Sequence, residues 1–209
     1  MVNIRFLGNA CVELIGKQDH IIIDPTFLKE PQPGIERIFL THHHSDHFDQ
    51  EKLLEIETNF SMEGKALEIY GPLCVYEEFD INCILIEPTS KIDLINGYVE
   101  VFENDCWKAP GCVAYLITMD NKKILHTADS AEFSNQLYNL KGEIDVCFVA
   151  CFENNFNDYL EFLKTKELKK AFPYHYNFEK EEEAKKLATF LTENGINSEF
   201  LSIGSEYKI

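Results

Sequence analysis

Thr41-His42-His43-His44-Ser45-Asp46-His47 packs four histidines and a carboxylate into seven residues, directly after the apolar run Ile35 to Leu40. A strand that ends in a loop delivers such side chains together at the carboxyl edge of a sheet. In extended backbone His42 and His44 point to one side and His43 to the other. Asp46 and His47 fall in the turn that follows and can face the same pocket. Three imidazoles and one carboxylate suit a divalent transition metal such as zinc, manganese or iron. They suit an all-oxygen calcium or magnesium cage much less well. A solvated histidine-rich loop is the plain alternative, but the H-x-H-x-D-H spacing after a strand is far more specific than a lone histidine. The stretch reads as a metal site.

That tract resembles the signature of the metallo-β-lactamase-fold metal-dependent hydrolases. The family's further landmarks are an Asp closing an early strand, a mid-chain His, an Asp after a central strand, and a late His. This chain has Asp24 in Ile21-Ile22-Ile23-Asp24-Pro25, Asp129 in Ile124-Leu125-His126-Thr127-Ala128-Asp129, and His175 in Phe172-Pro173-Tyr174-His175-Tyr176. All three stand in the family's order, so the resemblance spans nearly the whole chain. It implies an α/β fold, a four-layer αβ/βα sandwich, over residues 1–209 as one domain.

The resemblance also implies roles. His42 and His44 would hold a first cation, and Asp46, His47 and His175 a second. Asp129 would bridge the two, its oxygens suited to metals about 3.5–4 Å apart. A shared water would become hydroxide because coordination lowers its pKa to about 7, and would attack a carbonyl or phosphorus. Asp46 is the candidate catalytic carboxylate. Asp24 would stand behind the ligands and hold the metal loop. His126, on the strand before Asp129, would brace the site or fill the core. The mid-chain histidine is missing, and Phe102-Glu103-Asn104-Asp105-Cys106 stands in its place. Asp105 is the favoured replacement ligand. Cys106 as thiolate is a second possibility, and an unfilled first site a third. Some branches similar to sugar-lactone hydrolases also lack this histidine, so its loss does not by itself remove activity.

Composition bounds the partners. A chain of 209 residues with 45% hydrophobic and 26% charged residues is an ordinary globular one, but its net charge of −17 is not ordinary. Such a surface repels phosphate backbones and anionic membranes, which leaves a small-molecule substrate as the expected partner. The seven cysteines contain no C-x-x-C pair, and Met1-Val2-Asn3-Ile4-Arg5 does not open a signal peptide. They read as reduced, mostly buried thiols of a cytoplasmic protein. Oligomeric state leaves no mark.

In order, Val2–Leu7, Cys11–Ile15 and His20–Asp24 read as an opening antiparallel meander, with His20 a strand-start residue and not a ligand. Helices are expected over 48–58, from Pro72 to about Phe79, over 131–140 and over 156–166. Strands are expected over 66–70, 83–87, 91–95, 98–103, 112–119, 123–127 and 144–150, with turns at Asn96-Gly97 and Asp120-Asn121. The last helix is marked by Glu179, Glu181, Glu182 and Glu183 near its positive end and by the stripe Ala184, Leu187, Ala188, Leu191. Strands over 198–203 and 207–209 are expected to close the chain.

Two function classes follow. One is a metal-dependent hydrolase of a small-molecule ester, lactone, thioester or phosphoester. The other is a metal-binding protein, degenerate at its first site and without turnover. A di-iron redox protein is weaker, because that branch carries Glu where this chain has His44. A nuclease is disfavoured by the charge.

Overall fold

The computed structural model describes residues 1–130 and 132–209. The opening meander forms as β1 (Asn3–Gly8), β2 (Cys11–Ile15) and β3 (His20–Ile23). After β3 the chain adds β4 (Arg37–Phe39), β5 (Glu68–Gly71) and β6 (Cys83–Leu85) in parallel, while β13 (Glu206–Lys208) pairs antiparallel with β1. Among the described residues this sheet has the order β13-β1-β2-β3-β4-β5-β6. The second sheet holds β7 (Lys91–Leu94), β8 (Gly97–Glu103), β9 (Val113–Met119), β10 (Lys122–His126), β11 (Ile144–Ala150) and β12 (Leu168–Tyr174). Its order is β12-β11-β10-β9-β8-β7, antiparallel from β7 to β10 and parallel from β10 to β12.

Strand alternation separates the layers. Ile21 and Ile23 of β3 join the core between the sheets, with Val12, Phe39, Tyr115, Ile117 and Phe148. Ile22 points the other way, into a cluster with Ile38, Leu53, Ile56 and Val75. Leu53 and Ile56 come from α1 (Gln50–Asn59) and Val75 from α2 (Leu73–Glu78), which cover the first sheet. The second sheet is flanked by α3 (Asn135–Asn139), α4 (Phe156–Lys164) and α5 (Glu181–Glu193), with α5 against β12. The result is the αβ/βα sandwich. Each fully buried Ile or Phe of these layers contributes about 1.5–3 kcal/mol relative to leaving it in water.

Local chemistry explains the boundaries. Asp49 caps α1 by accepting from Glu51 N and Lys52 N, so the helix starts after Phe48, which packs in the outer cluster instead. Asp120 and Asn121 turn β9 into β10 with φ of 50° and 62°. Gly97 is required by close approach, since a Cβ there would lie 1.8 Å from Thr118 O.

Three expectations are corrected. The helix expected over 131–140 is α3 alone, because Ser134 caps it by accepting from Leu137 N at 3.3 Å. Ala131 itself falls outside the described residues. The strand expected over 198–203 is a single bridge from Ser198 to Ala171. That segment crosses between sheets, bonded to Ala171 at one end and through Gly204 N to Phe6 O at the other, so it follows neither ladder. Finally, Cys106 and Cys112 are joined as a disulfide, their Cα atoms 5.9 Å apart, whereas all the cysteines were expected reduced. The other five are free. Among the described residues no helix is long and apolar enough to cross a membrane.

Candidate metal centre

The carboxyl ends of β3, β4, β10 and β12 converge on one cleft, and each releases a polar side chain there. Asp24, Ala128 and His175 take left-handed φ of 50°, 50° and 69° at three of these ends. Such backbone costs about 1–3 kcal/mol per residue and persists where the surroundings over-determine it. Here it turns the chain sharply off each strand and into the site.

Asp24 is fully buried and organises the histidine loop. Its Oδ1 accepts from Thr41 N at 2.8 Å and its Oδ2 from Thr41 Oγ1 at 2.7 Å. His47 Nδ1 lies 2.7 Å from the same Oδ2. With Nδ1–H turned to Asp24, the other ring nitrogen of His47 faces the cleft, the orientation that carboxylate–histidine pairs give a metal ligand. There His47 Nε2 is 3.1 Å from His175 Nε2 and 3.7 Å from Asp129 Oδ2. His175 Nε2 is also 3.3 Å from Asp46 Oδ2. The ligand atoms of Asp46, His47 and His175 all lie within 4.8 Å of one another.

A second group adjoins it. One ligand atom each of His42, Cys106, Cys112 and Asp129 lies within 4.8 Å of the others. His42 Nε2 is 3.8 Å from Asp129 Oδ1 and 3.2 Å from His44 Nδ1. Asp129 therefore stands between the groups, one oxygen towards His42 and the other towards His47. His43 belongs to neither group, its Nδ1 buried without a partner. His126 lies behind, its Nδ1 accepting from Ala128 N at 3.3 Å and its ring against Tyr174.

Electrostatics favour a cation. Burial drives the pKa of His42 far down, helped by His47 and His44, so it is a neutral imidazole with a lone pair to give. Burial likewise keeps His126 neutral. Burial opposes charge on His47 too, but Asp24 outweighs it, with Asp129 and Asp46 adding to the rise. The carboxylates that favour a proton on His47 favour a metal ion in its place. The hydrogen bond from His175 holds Asp46 well below the usual carboxylate range. Among the described residues Asp129 Oδ1 is buried with no hydrogen-bond partner. The carboxylate oxygen without a partner beside His42, and imidazole nitrogens crowded to 3.1–3.2 Å of one another around Asp129, form a set that a divalent transition metal satisfies. The residues fit the group.

The Beta-lactamase superfamily domain matches residues 3–171 of the chain. The chain belongs to this superfamily. A UPF0173 metal-dependent hydrolase of Staphylococcus haemolyticus is 27% identical over 171 residues, covering 73% of this chain and 74% of that protein. Another, of Thermococcus onnurineus, is 27% identical over 207 residues and covers 85% of each chain. The metallo-beta-lactamase fold protein YhfI of Bacillus subtilis superposes with a TM-score of 0.79 at 12% identity, covering 100% of both chains. At that identity the likeness is one of fold, and it agrees with the αβ/βα sandwich.

In this superfamily member the residues after β8 take an unexpected course. Asp105, the favoured substitute for the missing imidazole, is exposed on the cleft wall and lies outside both donor groups. Cys106 lies inside one, and so does Cys112, which sequence reasoning passed over. The available signal was two cysteines six residues apart, flanking a short loop where an imidazole was lacking. Thr41 was also missed, although it stands at the strand end ahead of the histidines and joins Asp24 to the loop.

Proposed function

We propose that the chain is a metal-dependent hydrolase acting on a small-molecule ester or lactone. The observation that carries this is the convergence of Asp46, His47 and His175 beside a cavity of about 1040 Å³ that Asp46, His44 and Asp129 line. The metal-dependent hydrolase names of its relatives support it. Asp46, His47 and His175 would hold one cation, and His42 with Asp129 would take part in a second. A divalent ion there, zinc being the best match to this nitrogen-rich set, supplies an acidified water and a Lewis acid for the substrate oxygen.

The chain's own residues do the rest. Asp24 fixes the ring of His47, and Thr41 ties Asp24 to the loop. Asp46 keeps a proton-accepting carboxylate at the cleft, deprotonated throughout the neutral range. Trp107 and Phe152 offer apolar walls on which a substrate's body can rest. Among the described residues lining the cleft, Asp46, Asp105, Asp129 and Glu132 are acidic and none is lysine or arginine. That lining repels a polyanionic phosphoester and favours a neutral carbonyl substrate. The five free cysteines support the cytoplasm as the working compartment.

The test is a panel of esters, lactones and phosphoesters offered to chelator-stripped and zinc-loaded protein. Lactones or esters are expected to turn over only after loading, with phosphoesters slower, and His175→Ala should abolish the activity. A loaded, folded protein that hydrolyses nothing in the panel would leave the non-catalytic metal binder as the better reading.

A further inference from the structure

The loop from Asn104 to Cys112 is fastened to both sides of the cleft. Asn104 Nδ2 donates to Thr127 O at 2.6 Å, two residues before Asp129. Ser130 Oγ donates to Asp105 O, and Asp105 bridges Glu132. At the loop's far end Val113 N donates to Thr41 O at 3.1 Å, beside His42. Within it, Ala109 N donates to Cys106 O at 3.1 Å and Cys112 N to Ala109 O at 3.2 Å. These bonds hold the two sulfurs beside His42 and Asp129. Cys112 is buried, its sulfur 3.8 Å from His42 Nδ1, while Cys106 opens onto the cavity. The five free cysteines lie outside both donor groups.

We propose that Cys106 and Cys112 are a redox-gated pair of metal ligands. As thiols they complete, with His42 and Asp129, a four-donor site for a soft divalent cation in place of the absent histidine. As a disulfide they withdraw two of its four donors. Three observations meet here: the shared location of the four donor atoms, the open face of Cys106, and the joined state of the pair. Thiolates bind such cations strongly and a disulfide does so poorly, so bond formation and metal binding exclude one another. Opening takes a dithiol reductant, which gives two electrons and two protons and leaves as its own disulfide. Metal binding then releases both thiol protons to water. Closing takes a hydroperoxide, which accepts the two electrons and, with the two thiol protons, leaves as an alcohol and water. The entrance beside Cys106 admits either reagent. The inference rests on the reading of this cleft as a metal centre.

Cobalt(II) distinguishes the states without any substrate. Protein reduced with a dithiol and freed of reductant under anaerobic conditions is loaded with cobalt, and a second sample is loaded after treatment with a hydroperoxide. Reduced protein is expected to bind about two ions per chain, as a paired site does, with a near-ultraviolet thiolate-to-cobalt absorption. Oxidised protein should hold about half as many, lack that band, and show two fewer titratable thiols after denaturation. A dithiol should restore all three. Cys106→Ser and Cys112→Ser are each expected to hold as little cobalt as the oxidised sample whatever the treatment, with one titratable thiol fewer than reduced wild type. The open position of Cys106 makes its variant the safer one to fold. Reduced protein with no thiolate band, or equal cobalt in both states, overturns the proposal. If that redox-insensitive cobalt disappears in His175→Ala, the proposed hydrolase centre survives the failure. If no cobalt binds in either state, both readings fall together.

Discussion

Two buried polar clusters in this molecule contain similar residues and end differently. Around Glu13, on β2, every oxygen of the carboxylate is partnered. Oε2 pairs with Arg5, while Oε1 meets His20 Nε2 at 2.8 Å and Gln32 N at 2.7 Å. Around Asp129 the polar set stays open, with Oδ1 buried and unpartnered among the described residues and two imidazole nitrogens 3.1 Å apart. Both clusters combine histidine with a carboxylate, so residue type does not tell them apart. Closure does. A carboxylate whose oxygens are all partnered is structural, whereas one with an unpartnered oxygen facing clustered imidazoles is built for a cation.

The largest expected effect separates the clusters by stability. Glu13→Ala leaves Arg5 with only the longer contacts to Glu30 O at 3.4 Å and Glu206 at 3.9 Å, and breaking a buried pair costs about 3–5 kcal/mol. Denaturant unfolding should show that loss, while zinc bound per folded chain stays at the wild-type value. If zinc is lost in proportion to stability, the clusters are not independent. The converse substitution is His175→Ala. With zinc at a hundred times its dissociation constant, wild-type protein should gain about 2.7 kcal/mol. His175→Ala should gain much less, and its metal-free stability should equal or exceed that of the wild type, since an open polar set contributes little by itself. A stripped variant several degrees lower in Tm than stripped wild type would show that the cleft's histidines also hold the fold.

Asp24 belongs to both categories and sharpens the distinction. Its bonds to Thr41 are closed and structural, but the bond to His47 orients a nitrogen towards the open set. Asp24→Asn keeps the shape and is expected to weaken zinc binding about 10- to 100-fold, the usual effect of removing a ligand's orienting partner. Competition with a chromophoric chelator measures it. An unchanged affinity would reduce Asp24 to a loop brace.

Much of this organisation was legible in the residues because it is local. The strand before His42, the acidic start of α5 and its stripe at Ala184, Leu187, Ala188 and Leu191 are patterns a few residues long. The landmark order brought Asp24, Asp129 and His175 to the cleft without any knowledge of contacts. The rest depends on distant partners. Residues 198–203 have the composition of a strand, but their course between two sheets depends on Phe6 and Ala171. The spacing of Cys106 and Cys112 hints at a pair, but the approach of the Cys112 sulfur to His42, seventy residues earlier in the chain, needs Val113 bonded to Thr41. Whether a buried carboxylate is closed, like Glu13, or open, like Asp129, is likewise set by partners that the chain brings from elsewhere.

The smallest effect tests closure where water reaches the cluster. Asp145 lies near the start of β11, the end of the strand away from the cleft, and accepts from Lys123 N at 3.0 Å and Lys169 Nζ at 3.0 Å. Lys122 Nζ adds a longer contact at 3.4 Å. Partial burial works against its charge, but the backbone donor and the two lysines prevail, and its pKa falls below the ordinary carboxylate value of 3.8. A carboxylate with a lowered folded pKa stabilises the fold above its unfolded value and loses that contribution as pH falls through the folded one. Asp145→Asn should therefore cost about 1 kcal/mol at neutral pH, the scale of one net hydrogen bond. The gap between variant and wild type should hold above pH 3.8 and close below it, as the wild-type carboxyl takes up its proton. Denaturant titrations across the acid range follow that gap. Should it persist unchanged in acid, packing of the side chain and not its charge would be the source. A gap that also changed with zinc would tie this end of β11 to the cleft, contrary to the separation of closed and open clusters.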